Sequence, residues 1–226
     1  MFFEEMSMHT GDRWKHPCRQ NSESAGKKYQ ISPRLACLIR NRDVIGEEAV
    51  DRYLNGTISD LYDGMLMKDM DKAIDILKEK ILEDKKIRVI GDYDIDGVNA
   101  TYILLEGLER LGADVDSDIP DRISDGYGLN RHLVERAYEA GVDTLITCDN
   151  GIAAADEIAY GKEMGMTVIV TDHHEVPFDE HDGEKRYRIP PADAVMDPKQ
   201  PDCLYPFKGL CGAAVAYKLM EALWES

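Results

Sequence analysis

Two patterns of apolar spacing divide the chain. Over residues 31–85, apolar positions recur at helical intervals. Met70, Ala73, Ile74, Leu77 and Ile81 fall on one stripe, which predicts an amphipathic helix over roughly 69–84. Gly56 and Gly64 break the stretch before it into short helices. Residues 1–30 are polar, mixed and without period, and read as a mobile leader. From residue 86 short β-rich runs at 87–90, 114–119, 144–147, 167–170 and 194–196 alternate with helical stretches near 98–111, 131–140, 154–164 and 213–224. Strand–helix alternation with short connections predicts an α/β fold, a parallel sheet flanked by helices on both faces, preceded by a short helical lead-in. The expected organisation is a leader over 1–30, a helical segment over 31–85 and an α/β domain over 86–226. Crossovers in such a sheet are right-handed, and its ligand crevice lies outside the carboxyl ends of the strands.

The strands end in chemically rich loops. The first run leads into Gly91-Asp92-Tyr93-Asp94-Ile95-Asp96-Gly97, the third into Cys148-Asp149-Asn150-Gly151, the fourth into Thr171-Asp172-His173-His174-Glu175, and the fifth into Asp197-Pro198-Lys199. Six aspartates and two histidines thus gather at one sheet edge. Unpaired, that many carboxylates would repel one another severely, and divalent cations are the simplest remedy. An oxygen-rich set with one or two imidazoles suits Mn²⁺ or Mg²⁺ better than a soft metal.

Each loop has a plainer explanation alone. Asp94 and Asp96 could cap a helix, Asp149 could be a turn residue, and Asp172 could cap beside surface histidines. A calcium loop of the EF-hand type fails, because the twelfth position from Asp92 is Ile103 rather than a bidentate Glu. Three loops converging on one edge favour the metal reading. Arg122 and Tyr127 follow the second run at the same edge, and Arg122 could hold a phosphate or a surface carboxylate. Gly209, Gly212, Ala213 and Ala214 open the last helix, whose bare N-terminus could take an anion or could simply pack closely. Cys148 reads as a buried strand residue, and His132 and His181 as surface residues.

Charge sharpens this picture. The chain has 226 residues and a formal charge of −17. Residues 1–85 carry 14 basic and 16 acidic side chains, whereas 86–226 carry 13 and 28. So acidic a domain is a poor generic nucleic-acid binder without cations at its carboxylates. The five cysteines are scattered without a C-x-x-C pair, which argues against a disulfide framework and a cysteine zinc site. No run of eighteen apolar residues occurs. No basic segment before an apolar stretch opens the chain, so the expected address is the cytoplasm, away from any membrane.

Together these motifs resemble the DHH phosphoesterase superfamily, named for the triplet present here as Asp172-His173-His174, and within it the RecJ-like single-strand-specific exonucleases. Residues 89–97, Ile119-Pro120-Asp121-Arg122, Gly126-Tyr127-Gly128-Leu129, Pro206-Phe207-Lys208-Gly209-Leu210-Cys211-Gly212-Ala213 and Asp69-Met70-Asp71-Lys72-Ala73 are similar to that family. The resemblance covers roughly residues 31–226. It implies ligation of Mn²⁺ or Mg²⁺, two ions, by Asp94, Asp96, Asp149 and His173, with Asp149 as the bridge. Asp92, Asp172 and His174 would orient ligands and phosphate, and His174 or Arg122 would neutralise charge developing on the phosphoryl oxygens.

The implied activity is metal-dependent hydrolysis of phosphodiesters in single-stranded DNA from the 5′ end, in recombination and repair. Replication or repair proteins are further expected partners. The alternatives are a relative acting on nanoRNA, phosphoadenosine phosphate or cyclic dinucleotides, and a non-catalytic interaction module. Asn150 stands where the family has Cys, and Asp197 where it often has Asn. A fourth aspartate motif and two downstream domains of the family are not found, so the chain is expected to be the N-terminal part of such a protein and to turn over weakly alone.

Overall fold

The computed structural model describes residues 26–121, 126, 128–181 and 183–226. The expected leader therefore lies, up to residue 25, outside the described residues. The chain divides into two compact units, one ending at Leu61 and one spanning Tyr62–Ser226. In the first, helix α1 (Pro33–Arg40) begins where sequence rules place a helix start. Ser32 accepts the Leu35 amide on its hydroxyl at 3.2 Å, and Pro33 occupies the first turn. Helix α2 (Glu47–Asn55) follows and buries none of its side chains.

The second unit holds α3 (Met70–Leu82), β1 (Ile87–Ile90), α4 (Ile95–Arg110), β2 (Val115–Asp118), α5 (Arg131–Glu139), β3 (Thr144–Cys148), α6 (Ala155–Glu163), β4 (Thr167–Thr171), β5 (Phe178–His181), β6 (Glu184–Tyr187), β7 (Ala194–Met196) and α7 (Gly212–Glu225). Five strands form one parallel sheet in the order β2-β1-β3-β4-β7. The pleat sends alternate residues to opposite faces. Val89, Ile146, Ile169 and Met196 join Ala100, Leu104, Leu108, Val215 and Leu219 of α4 and α7 on one side. Ile90, Leu145, Val168 and Val195 join Leu133, Val134, Ala137 and Ile158 of α5 and α6 on the other.

The apolar stripe on α3 packs as its spacing predicts: Met70, Ala73, Ile74 and Leu77 are buried in the layer with α4 and α7, and Ile81 packs against it. Asp69 ties the start of α3 to the sheet by accepting the Val195 amide at 3.2 Å. The hairpin β5–β6 lies between two sheet strands and was not legible from apolar spacing, because every described residue in it is exposed. Among the described residues no helix is long and apolar enough to cross a membrane.

Candidate metal centre

The sheet order places β1, β3, β4 and β7 side by side, so their carboxyl ends deliver four loops to one edge. The loop after β1 turns directly into α4. Asp94 is the N-cap and accepts the Asp96 and Gly97 amides on one oxygen, both at 2.9 Å. Gly97 is required by closeness: a Cβ there would lie 2.5 Å from the Asp92 carbonyl oxygen. Asp92 is 1% exposed, and neither of its carboxylate oxygens has a hydrogen-bond partner among the described residues.

After β3, Asp149 takes the left-handed conformation with φ 60° and is 1% exposed. Its amide donates to the Thr171 carbonyl at 3.0 Å, which fixes it against β4. The loop after β4 is organised by Asp172, whose buried carboxylate accepts the amides of Ile152 (2.9 Å), His173 (2.7 Å) and His174 (3.2 Å). Its Oδ1 also lies 2.7 Å from His174 Nδ1, and that contact raises the imidazole pKa above its ordinary value. At the end of β7, buried Asp197 accepts the Lys199 amide on Oδ1 at 2.7 Å, while Oδ2 has no partner among the described residues.

Two overlapping trios result. Asp92, Asp94 and Asp149 each bring one oxygen within 4.8 Å of the others, and Asp149, His173 and His174 do the same with one ligand atom each. Asp149 belongs to both. His173 Nε2 lies 2.9 Å from Asp149 Oδ1 and 3.5 Å from Asp96 Oδ2. Asp96 is outside both trios and is committed to α7: its two oxygens accept the Gly212 amide at 2.7 Å and the Ala213 amide at 2.9 Å. The helix N-terminus that the sequence left open to an anion or to close packing thus takes a carboxylate of the protein itself.

The electrostatics follow from burial. Asp149 is pushed up to about 7, first by desolvation and then by the negative charges of Asp96 and Asp94. Asp197 is likewise raised to about 7 by burial. Burial pulls Asp96 up as well, but the amide bonds from Ala213 and Gly212 hold it below the ordinary carboxylate value.

A divalent cation fits this edge. The buried, partnerless oxygens of Asp92 are otherwise an uncompensated cost. A donor set of carboxylate oxygens with imidazole nitrogen is also the chemistry of Mn²⁺ and Mg²⁺. The structure brings together Asp92, Asp94, Asp149, His173 and His174, and places Asp172 behind the histidines. Arg122 and Tyr127 lie outside the described residues. Cys148 is fully buried beside Thr101 Oγ1 at 3.4 Å, with its thiol pushed by burial to about 12, so it is no nucleophile. His132 and His181 are exposed, as their sequence context suggested. Sequence reasoning raised the Gly212 and Ala213 amides as an anion site but did not name Asp96 as their partner.

The chain is similar to several known proteins. The chain is 40% identical over 213 residues to the single-stranded-DNA-specific exonuclease RecJ of Bacillus subtilis, covering 93% of this chain and 26% of the relative. It is 39% identical over 160 residues to RecJ of Thermus thermophilus, covering 70% and 22%. It is similar to a solved structure of exonuclease RecJ bound to manganese, with 38% identity, a TM-score of 0.60, and coverage of 70% of this chain and 38% of that one. A second solved structure, RecJ of Thermus thermophilus in complex with Mn²⁺, gives 36% identity and a TM-score of 0.53, with coverage of 70% and 21%. The chain spans about a quarter of the length of the two curated relatives named here. Residues 86–226, which hold the whole parallel sheet and every loop of this edge, match the profile of the DHH family, N-terminal domain, and the chain belongs to that family.

Proposed function

We propose that this chain supplies the metal-dependent phosphodiester-hydrolysing centre of a RecJ-like exonuclease, which removes nucleotides from single-stranded DNA in the 5′-to-3′ direction during recombination and repair. The observation that carries this reading is Asp149, the one residue common to both ligand trios. A carboxylate has two oxygens to share, which suits a site for two ions. Asp92, Asp94, Asp149, His173 and His174 are the residues that would hold Mn²⁺ or Mg²⁺, with Asp96 beside them on the α7 amides. Bound there, such ions would lower the pKa of water and stabilise charge on a leaving oxygen.

The chain's own residues do the rest. Asp172 accepts from both histidine amides and from His174 Nδ1, so it sets the orientation of that imidazole. Arg122 is the candidate for neutralising phosphoryl oxygens. Single-stranded DNA is the proposed substrate because it is the one named for the RecJ relatives. The test is digestion of a 5′-labelled single-stranded oligonucleotide with Mn²⁺ or with chelator. Digestion, even slow, that needs Mn²⁺ and disappears in Asp149→Asn is expected. An Asp149→Asn variant as active as the parent would refute the reading.

A further inference from the structure

We propose that Asn150 is a positioning residue of the metal centre: a side-chain clamp that fixes the loop carrying Asp149 to the end of β1. The inference rests on the metal reading above and deepens it. Asn150 is 2% exposed and sits between Asp149 and Gly151. Its carboxamide nitrogen donates to the Ile90 carbonyl at 3.1 Å and to the Cys148 carbonyl at 2.9 Å. Ile90 is the last residue of β1, two before Asp92, and Cys148 is the last of β3, directly before Asp149.

Regular pairing between these strands ends at Ile90↔Thr147. Asn150 adds one more tie beyond the ladder, at the point where the two acidic loops part. Both neighbours are carbonyls, so only the NH₂ group can face them, and the orientation of the amide is fixed. On the other flank the Asp149 amide bonds to Thr171 of β4. The loop is therefore fastened to both adjacent strands, by its own backbone to β4 and by Asn150 to β1. A third element leans on the same side chain: a Cβ at Gly128, where φ is 68°, would lie 3.3 Å from Asn150 Cβ. The spacing between Asp149 and the pair Asp92 and Asp94, which defines one trio, follows from this clamp.

The experiment is Mn²⁺ titration of the full 226-residue chain by calorimetry, with melting temperatures measured in parallel without metal. Three variants are compared with the parent: Asn150→Asp, which keeps shape but sets oxygens against two carbonyls; Asn150→Ser, which keeps one donor; and Ile158→Val, a core control in α6. Asn150→Asp is expected to weaken Mn²⁺ binding by about 10–100-fold, the usual effect of removing a group that orients metal ligands. Asn150→Ser should recover part of that loss. Ile158→Val should show none of it, even where the melting temperature falls equally. If Asn150→Asp does not fold, Asn150→Ser against Ile158→Val decides alone. Mn²⁺ affinity in the Asn150 variants no lower than in Ile158→Val overturns the clamp and leaves the metal centre standing. Absence of Mn²⁺ binding by the parent overturns the metal reading and the clamp with it.

Discussion

Replacing Gly212 by alanine sets two physical effects against each other. Gly212 is the first residue of α7, and helix propensity alone favours alanine over glycine by up to about 1 kcal/mol. Sterics oppose this. A Cβ at Gly212 would lie 2.4 Å from Asp149 Oδ1, 2.6 Å from its Cβ and 2.7 Å from its Cγ. A flexible chain end could retreat, but Asp149 Cβ moves only with its backbone, and that backbone is held at φ 60° with its amide on Thr171. Overpacking of this kind costs about 1–3 kcal/mol. Gly212→Ala should therefore be destabilised on balance, by about 2–4 °C in melting temperature per kcal/mol for a chain of this size. Its Mn²⁺-induced thermal gain should also shrink, because the displaced residue is the one both trios share. The control is Gly161→Ala in α6, where the nearest atom to the new Cβ is Val134 Cγ1 at 3.4 Å. That variant should be neutral or slightly stabilised with its Mn²⁺ response intact. Differential scanning calorimetry with and without Mn²⁺ reads both. A Gly212→Ala chain that melts at or above the parent and keeps the full Mn²⁺ shift would refute the reasoning.

Three further outcomes are expected. Asp149 and Asp197 titrate near 7 in the folded chain, above the ordinary carboxyl value of 3.8, so the fold holds their protons more tightly than the unfolded chain does. That stabilisation is complete below 3.8 and lost as pH rises through about 7. In chelator the melting temperature should fall as pH rises from about 5 to about 8, and Mn²⁺ should offset the part due to Asp149; a flat profile in chelator would contradict this. Asp172→Ala strands three amides in or beside the core at about 1–3 kcal/mol for each one left unsatisfied, and NMR titration should find the His174 pKa lower than in the parent. Arg88→Met removes a forked pair with Asp116 across β1 and β2, at 2.5 and 2.6 Å and in direct register; it should cost about 1 kcal/mol or less and leave Mn²⁺ affinity unchanged, as calorimetry would show.

The sheet was legible because its inner strands are largely covered on both faces. Runs such as Thr144–Cys148 are buried at every position, and the run at 194–196 matches β7 residue for residue. The helix after β1 starts three residues earlier than apolar spacing suggested, since its first turn carries Asp96 and Gly97 for the site rather than for the core. The β5–β6 hairpin escaped because it has no buried face to impose alternation, although Asp182-Gly183 is a strong turn signal. Among site residues, placement at strand ends was readable, and division of labour was not. Asp96 finds its partners 116 residues downstream and Asn150 reaches a carbonyl 60 residues upstream. No local pattern encodes either contact.

Those two long-range contacts belong to a larger solution, by which so many carboxylates share one edge. Several of these acids are relieved, each by a different device. Asp96 is neutralised by the α7 amides, with the positive end of the helix behind them. Asp172 is occupied by three amides and an imidazole. Asp149, without metal, holds a proton up to about 7. Asp92 has neither amides nor an imidazole: it is buried, with both oxygens partnerless among the described residues. A carboxylate left that way costs more than a neutral polar group would. The fold has therefore met Asp96 and Asp172 with its own donors and left the buried oxygens of Asp92, beside Asp94 and Asp149, for something else to neutralise. A divalent cation can face three oxygens at once. The metal dependence proposed for this chain follows from that unfinished neutralisation as much as from the identity of the ligands.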